Sequence, residues 1–282
     1  MILIADGGST KVDWVAIDAN KNEIFRTRTL GLNPNVVSKD ELYNRVIKNE
    51  LLNLNNEKVN KVYFYGAGCG TNTPKEILKE TLSSFFSKAT VEIEEDIIGA
   101  VYASSGKNES IVCILGTGSN SCYYNGYKAE YVCPALGYTL MDEASGNYFG
   151  KKLLRDYFYK QMPKQTASKF SDSFSLNPDE IKHHLYKDEN PNRYLATFAK
   201  FLIENKSDNY VIKLVKNGFR TFFNYHIKSY QKHQQLPIYF IGSIAHFFED
   251  ILNEIALEEN VNIKGVIQRP IDNLIDFHRS NL

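Results

Sequence analysis

The sequence predicts an α/β protein of two similarly built lobes, and three observations carry that prediction. A short apolar strand, Ile2-Leu3-Ile4, runs into the turn Asp6-Gly7-Gly8-Ser9-Thr10-Lys11. A second, Ile111-Val112-Cys113-Ile114-Leu115, runs into Gly116-Thr117-Gly118-Ser119-Asn120. After each turn another strand pattern follows, and then strands alternating with helical segments, so a β-β-β-α-β-α-β-α order begins in each half. Two glycine turns able to grip phosphate, one per half, predict lobes flanking a central nucleotide cleft.

In the first half, residues 12–18, with Trp14 among the apolar positions, and residues 23–30 extend the opening strand into a meander that turns at Ala19-Asn20-Lys21-Asn22. After the loop Gly31-Leu32-Asn33-Pro34-Asn35, Ser38-Lys39-Asp40-Glu41 has capping-box spacing and predicts a helix to about Leu54. Val62-Tyr63-Phe64-Tyr65 is continuously apolar, as in a strand buried inside a parallel sheet. Thr73-Pro74-Lys75-Glu76 reads as another capping box, opening a helix whose apolar stripe is Leu78, Leu82, Phe85 and Phe86. Residues 89–94 follow as a strand and 96–105 as a helix.

The second half repeats the opening. Residues 110–115, 119–124 and 128–132 form a second meander, with Asn125-Gly126 as its hairpin signal. A helical insertion then spans about 143–235, with Asn177-Pro178-Asp179-Glu180 starting one helix. Residues 237–241 resume the sheet, 244–259 are helical, 262–267 form a strand and 271–282 a last helix. This gives an N-terminal lobe over 1–108 and a C-terminal lobe over 109–282.

Bulk properties exclude several function classes. The 282 residues carry 33 basic and 33 acidic side chains, and this zero net charge argues against nucleic-acid and anionic-membrane partners. No apolar run reaches the ~20 residues of a membrane span. The opening Met1-Ile2-Leu3-Ile4-Ala5-Asp6 lacks the basic segment of a signal peptide, so a cytoplasmic protein is expected. Cys69, Cys113, Cys122 and Cys133 form no C-x-x-C pair and have no histidine cluster beside them, which argues against zinc and against a disulfide framework. His183-His184 lies on a polar helix without nearby acidic or thiol partners and is expected at the surface.

The chemistry concentrates at the turns. In Gly7-Gly8-Ser9-Thr10-Lys11 the glycines allow close approach of backbone N–H groups to an anion, Ser9 and Thr10 offer hydroxyl donors, and Lys11 offers a charge. Asp6, at the strand end, has the right character for hydrated Mg²⁺. Gly116-Thr117-Gly118-Ser119 is the counterpart, and neither turn is a Rossmann fingerprint or a P-loop. Taken singly, each is also what a plain hairpin looks like. Asp96 opens a helix and could accept a proton from an attacking hydroxyl, or merely complement the helix dipole. Glu94 and Glu95 are equally acidic neighbours, and residue chemistry does not choose among the three. Asp142-Glu143-Ala144-Ser145-Gly146 could bond a polyol or cap a helix. Gly242-Ser243, between a strand and a helix, offers a flat backbone surface where open α/β folds bind ligands.

With those positions in view, the chain resembles the N-acetylglucosamine kinase and BadF/BadG/BcrA/BcrD-type ATPase family. That family belongs to the actin-like, ribonuclease H-like superfamily of two-lobed sugar kinases. Asp6-Gly7-Gly8-Ser9-Thr10-Lys11 resembles its first phosphate motif, Gly116-Thr117-Gly118-Ser119-Asn120 its second, and Gly242-Ser243 its adenosine motif. The resemblance implies ATP and Mg²⁺ as cofactors, Asn35 as an amino-sugar ligand, Asp96 as the base, and Gly137 and Asp142 as further sugar contacts. Gly68 and Asn120 complete the expected substrate-binding set. The chain departs from the family at Pro134-Ala135-Leu136-Gly137-Tyr138, where the sugar kinases have G-G-W-G-H. It departs again at Met141, in place of a glycine, and in lacking the adenine-side G-G-A-x-x-G-A segment.

The expectation is therefore a homodimeric, ATP-dependent kinase of N-acetylglucosamine, or of N-acetylmuramic acid or glucosamine, acting at the 6-hydroxyl. Two alternatives stand beside it. One is a BadF-type ATPase that energises a partner through an iron–sulfur cluster, and the other is a sugar-sensing protein without catalysis.

Overall fold

A computed structural model describes residues 1–282. The chain divides into two compact units, Met1–Lys107 with Pro270–Leu282, and Asn108–Arg269.

The first unit holds strands β1 (Ile2–Gly7), β2 (Lys11–Ile17), β3 (Glu23–Leu30), β4 (Lys61–Gly66) and β5 (Thr90–Glu95), ordered β3-β2-β1-β4-β5. β1 pairs parallel with β4, β4 with β5, and the meander β1-β2-β3 is antiparallel. Leu3, Ile4 and Ala5 of β1 are fully buried, as expected of a central strand covered on both faces. Over one face pack α1 (Lys39–Ile47), α2 (Glu50–Asn55) and α3 (Asn72–Phe85), around a core with Trp14, Phe64 and Phe86. The Trp14 indole N–H, buried there, donates to Thr29 Oγ1 at 3.1 Å.

The second unit repeats that topology. β6 (Ser110–Leu115), β7 (Ser119–Tyr124), β8 (Ala129–Glu130), β9 (Pro237–Ile241) and β10 (Asn262–Ile267) are ordered β10-β9-β6-β7-β8, with β6, β9 and β10 parallel. Between β8 and β9 run α5 (Gly146–Phe158), α6 (Lys164–Ser173), α7 (Pro178–Tyr186), α8 (Pro191–Thr197), α9 (Ala199–Glu204) and α10 (Asn209–Phe222). A π-helical turn, Phe223–Ile227, continues α10. Buried phenylalanines from these helices, Phe149, Phe170, Phe201, Phe219 and Phe222 among them, pack with Phe240 of β9.

Several sequence expectations need correction. Helix 271–282, expected in the C-terminal lobe, is α13 (Ile271–Asn281) and belongs to the first unit. Its apolar stripe Ile271, Leu274 and Ile275 covers Ile4, Val15, Ile17 and Tyr65 on the face that α1–α3 leave open, beside α4 (Asp96–Ser104). The helix expected from 38 to 54 breaks after α1 because Asn49 turns extended and caps α2, accepting from the Leu52 N–H. Thr73 is not a cap: α3 starts earlier, after Thr71, and no side chain caps it. The third strand of the second meander shrinks to two residues. The helix over 244–259 is α11 (Ser243–Phe247) and α12 (Glu249–Glu258), separated at Phe248. His183 and His184 do have an acidic partner, since both face the Asp188 carboxylate. No helix is long and apolar enough to cross a membrane.

Candidate active site

In the first unit the loops at the carboxyl ends of the parallel strands gather on the β1–β2 turn, the end of an open α/β sheet at which ligands bind. The turn closes with the Gly8 N–H donating to the Lys11 carbonyl at 2.9 Å. A Cβ on Gly8 would meet only ordinary van der Waals neighbours, so packing does not demand a glycine there. The loop after β3 is pressed against this turn. Gly31 N–H donates to the Thr10 carbonyl, and a Cβ on Gly31 would lie 2.1 Å from the Ser9 carbonyl oxygen. Asn33 Nδ2 donates to Ser9 Oγ at 2.9 Å, while Asn33 Oδ1 accepts the Asn35 N–H at 2.9 Å. Asn35 in turn donates to the Gly68 carbonyl at 3.1 Å. Gly68 has φ +83°, and a Cβ there would strike Asn33 Oδ1, so both the backbone and the position of Asn33 require a glycine.

Asp6 lies near the end of β1, opposite Asp13 on β2 and Tyr65 on β4. No group of three or more acidic, histidine or cysteine side chains assembles as a metal cage. A single carboxylate beside hydroxyl donors fits Mg²⁺ that arrives on a nucleotide and keeps phosphate and water ligands. Lys11 Nζ lies 3.6 Å from the Asp13 carboxylate, which also accepts Arg28 at 2.7 Å, so this cation is shared with an acid of the sheet.

The three neighbouring acids separate by environment. Glu94 is exposed and paired with Lys75 at 2.9 Å. Glu95 holds the N-cap position of α4 without capping it, its carboxylate against Gly70. Asp96 is the first residue of α4, half-buried, and its charge acts on Cys69. Burial first, and then Asp96 and Glu95, push the Cys69 thiol up to about 12.

In the second unit the site is organised by α5. Gly116 and Thr117 offer their carbonyls to the first N–H groups of α5, at Gly146 (2.8 Å) and Asn147 (3.0 Å). A trans peptide points its N–H opposite to its C=O, so the Thr117 and Gly118 N–H groups are directed away from α5, side by side. Adjacent amides so aligned form an anion-binding concavity. A Cβ on Gly116 would meet nothing within 4 Å and its φ is not positive, so neither packing nor backbone accounts for the glycine.

Asp142, 8% exposed, fastens the same turn: Oδ1 accepts the Ser119 N–H at 3.1 Å, and Oδ2 accepts Asn147 Nδ2 at 2.6 Å. Burial raises the pKa of this carboxyl, and the two hydrogen bonds oppose the rise. Asp142 and Ala144 both have left-handed backbone, at φ +70° and +58°, which is strain stored beside the turn. Ser119 Oγ and Asn147 Oδ1 are buried without a partner. Asn120 turns its side chain onto the Ser121 N–H. Gly137, at φ +78°, directs its carbonyl to the Leu140 and Met141 N–H groups. Gly242 has φ +121° and packs against the end of β6; a Cβ there would lie 2.4 Å from the Leu115 carbonyl oxygen. Gly242 and Gly116 are thus brought together. Ser243 begins α11.

Three features had no reading in the sequence. Asn33 was only part of a loop. Asn147 reaches from a helix to the carbonyl of Thr117, with no local pattern to betray it. A hydrogen-bonded chain runs from half-buried Glu143 through His226 (3.3 Å) and Ser121 (3.2 Å) to Tyr230 (3.1 Å), buried from His226 onward. His226, the chief cause that lowers the Glu143 pKa, sits in the π-helical turn.

No protein-family model matches the chain, and no curated protein matches it. Among solved structures it is similar to a Porphyromonas gingivalis protein provisionally assigned as an N-acetylglucosamine kinase. The identity is 34% over 100% of this chain and 99% of that one, with a TM-score of 0.91. A Chromobacterium violaceum protein with the same provisional assignment is 13% identical over 98% of both chains, with a TM-score of 0.73. A ROK family glucokinase from Streptomyces griseus, solved with glucose and AMPPNP, is 11% identical over 98% of this chain and 97% of that one, at 0.57. The last two share the fold.

Proposed function

The chain belongs to the N-acetylglucosamine kinase family of actin-like sugar kinases, and from that premise we propose that it transfers the terminal phosphoryl group of ATP to the 6-hydroxyl of an amino sugar. N-acetylglucosamine is the leading acceptor, with N-acetylmuramic acid and glucosamine behind it. Full-length similarity to the Porphyromonas gingivalis protein supports that acceptor class. One observation carries the phosphoryl-transfer half: the 116–118 turn ties the Gly116 and Thr117 carbonyls to α5, which by peptide geometry directs the Thr117 and Gly118 N–H groups away from that helix, and it keeps a glycine at 116 that the protein's own packing does not need.

Positioning and charge neutralisation dominate such a reaction. In this proposal Gly7, Gly8, Ser9, Thr10 and Lys11, with Gly116, Thr117, Gly118 and Ser119, hold the phosphates, and Gly242 and Ser243 receive the adenosine. Asp6 would hold Mg²⁺, which neutralises charge on the phosphates. Asp96 takes the proton of the acceptor hydroxyl. Asn35, Gly68, Asn120, Gly137 and Asp142 form the acceptor side, Asp142 also through its hold on the turn. The proposal makes the protein a cytoplasmic homodimer acting on a small molecule, without nucleic-acid or membrane partners.

The ATPase-activator alternative needs accessible thiolates for a cluster. Cys113 and Cys122 are fully buried, and burial pushes the Cys113 and Cys69 thiols upward, which weighs against it. The test is ADP release from Mg-ATP with N-acetylglucosamine, N-acetylmuramic acid, glucosamine or no sugar. Sugar-dependent release is expected. Release without sugar would favour the ATPase, and sugar binding without release a sensor; either overturns the kinase.

A further inference from the structure

We propose that Asn33 is a positioning residue that fixes the hydrogen-bond polarity of Ser9, so that the Ser9 hydroxyl meets the nucleotide's terminal phosphate as a donor. The inference rests on the kinase reading and follows from which atoms can donate. The Asn35 backbone N–H can only donate, so the Asn33 atom 2.9 Å from it must be the carbonyl oxygen. That fixes the flip of the side-chain amide. Its other end, the NH₂ group, can only donate, and it lies 2.9 Å from Ser9 Oγ. Ser9 Oγ must therefore accept from Asn33. A hydroxyl has one proton, and this contact does not use it. The hydroxyl is left to present that proton to an anion.

The surroundings hold this arrangement in place. Gly31 is pressed on the Ser9 carbonyl, and Gly68 leaves out the Cβ that would strike Asn33 Oδ1. Arg45, its side chain 9% exposed, donates to the Gly31 carbonyl at 2.7 Å and so anchors the base of the loop. The same amide orients Asn35, on the acceptor side. Asn33 thus joins the part of the unit that would grip phosphate to the part that would grip sugar.

The polarity is testable by reversal. In Asn33→Asp the side chain accepts at both ends, so Ser9 must spend its proton on residue 33. A double-mutant cycle separates this from simple charge repulsion. Affinity for Mg-AMPPNP would be measured by calorimetry for wild type, Ser9→Ala, Asn33→Ala, Asn33→Asp and each double variant, with a thermal melt of each. Ser9→Ala is expected to weaken the analogue about tenfold. Asn33→Ala should weaken it by a smaller factor, and Asn33→Asp by a larger one. In the Ser9→Ala background both Asn33 substitutions should cost much less. Should Asn33→Ala fail to fold, Asn33→Asp, which keeps the shape, decides alone.

The proposal is overturned if the Asn33 and Ser9 effects multiply, or if Asn33→Asp binds like wild type. Unchanged affinity in Ser9→Ala, with sugar-dependent ADP release intact in the wild type, sinks the Ser9 proposal and spares the kinase. A wild type that neither binds the analogue nor releases ADP sinks both.

Discussion

Asn147 donates its side-chain amide to both the Asp142 carboxylate, at 2.6 Å, and the Thr117 carbonyl, at 2.7 Å. One helix residue therefore holds both the acid and the turn that the acid fastens. Removing it in Asn147→Ala leaves Asp142 Oδ2 buried without that donor and unties the side-chain link to the turn. A loss of about 1–3 kcal/mol is expected in urea unfolding. KM for ATP should rise as well, because the Thr117 carbonyl sets the direction of the Gly118 N–H. A variant that loses stability with KM for ATP unchanged would separate the clasp from nucleotide binding.

The glycines divide into those the fold needs and those it does not. Gly116→Ala places a methyl in open space and should melt within about 0.5 kcal/mol of wild type. On the proposed reading, in which phosphate approaches this turn, it should nonetheless bind nucleotide poorly, because the added methyl would crowd that approach. Gly242→Ala is the opposite case. A residue with φ +121° and a carbonyl oxygen 2.4 Å from its Cβ should lower stability by about 1–3 kcal/mol or more. Paired melts and nucleotide titrations check both, and a Gly116→Ala protein with normal nucleotide affinity would remove the turn from the phosphate site.

Asp96→Asn should retain nucleotide binding and lose ~10²–10⁴-fold in phosphoryl transfer, the usual worth of a positioned base. Glu94→Gln is the control. Its partner Lys75 makes an exposed ion pair, worth about 0–1 kcal/mol, so its turnover should stay near wild type. Steady-state rates of both at saturating ATP and sugar decide the matter. A fully active Asp96→Asn enzyme would return the base to its acidic neighbours.

The topology was legible because its signals are local. Continuous apolar runs such as 62–65 mark strands buried on both faces, and the two turns follow such strands directly. What was hidden depends on distance. α13 has an ordinary amphipathic stripe, and nothing in it says that the sheet it covers is the first one. The choice among Glu94, Glu95 and Asp96 rested on family resemblance, because the partner that occupies Glu94, Lys75, comes from another element. Asn33 looks like any polar residue of a loop, and its task appears only when Ser9 and Gly68 are brought to it. Asn49 and Thr71 show the limit of capping patterns: the first interrupts a helix that periodicity would continue, and the second displaces a start that the box at 73–76 implied.

Tyr65 and His278 give the first unit a pH dependence. The Tyr65 hydroxyl lies 2.9 Å from His278 Nε2, linking β4 to α13 inside the buried face. Burial, the largest cause, pulls the His278 pKa down from 6.5 to about 4, with Glu92 opposing and Lys61 assisting. The folded group therefore binds its proton less readily than the unfolded one. Between about pH 6.5 and 4 the unfolded state holds more protons, so stability rises with pH across that window. The contribution is complete above about pH 6.5 and lost as pH falls toward 4, in total about 3 kcal/mol. Carboxylates titrate in the same range, so the measurement is a difference. His278→Gln keeps a polar partner for Tyr65 but cannot titrate. Urea midpoints at pH 7, 5.5 and 4.5 should fall more steeply for wild type than for His278→Gln. Parallel slopes for the two proteins would mean that the docking of α13 does not depend on the neutral form of His278.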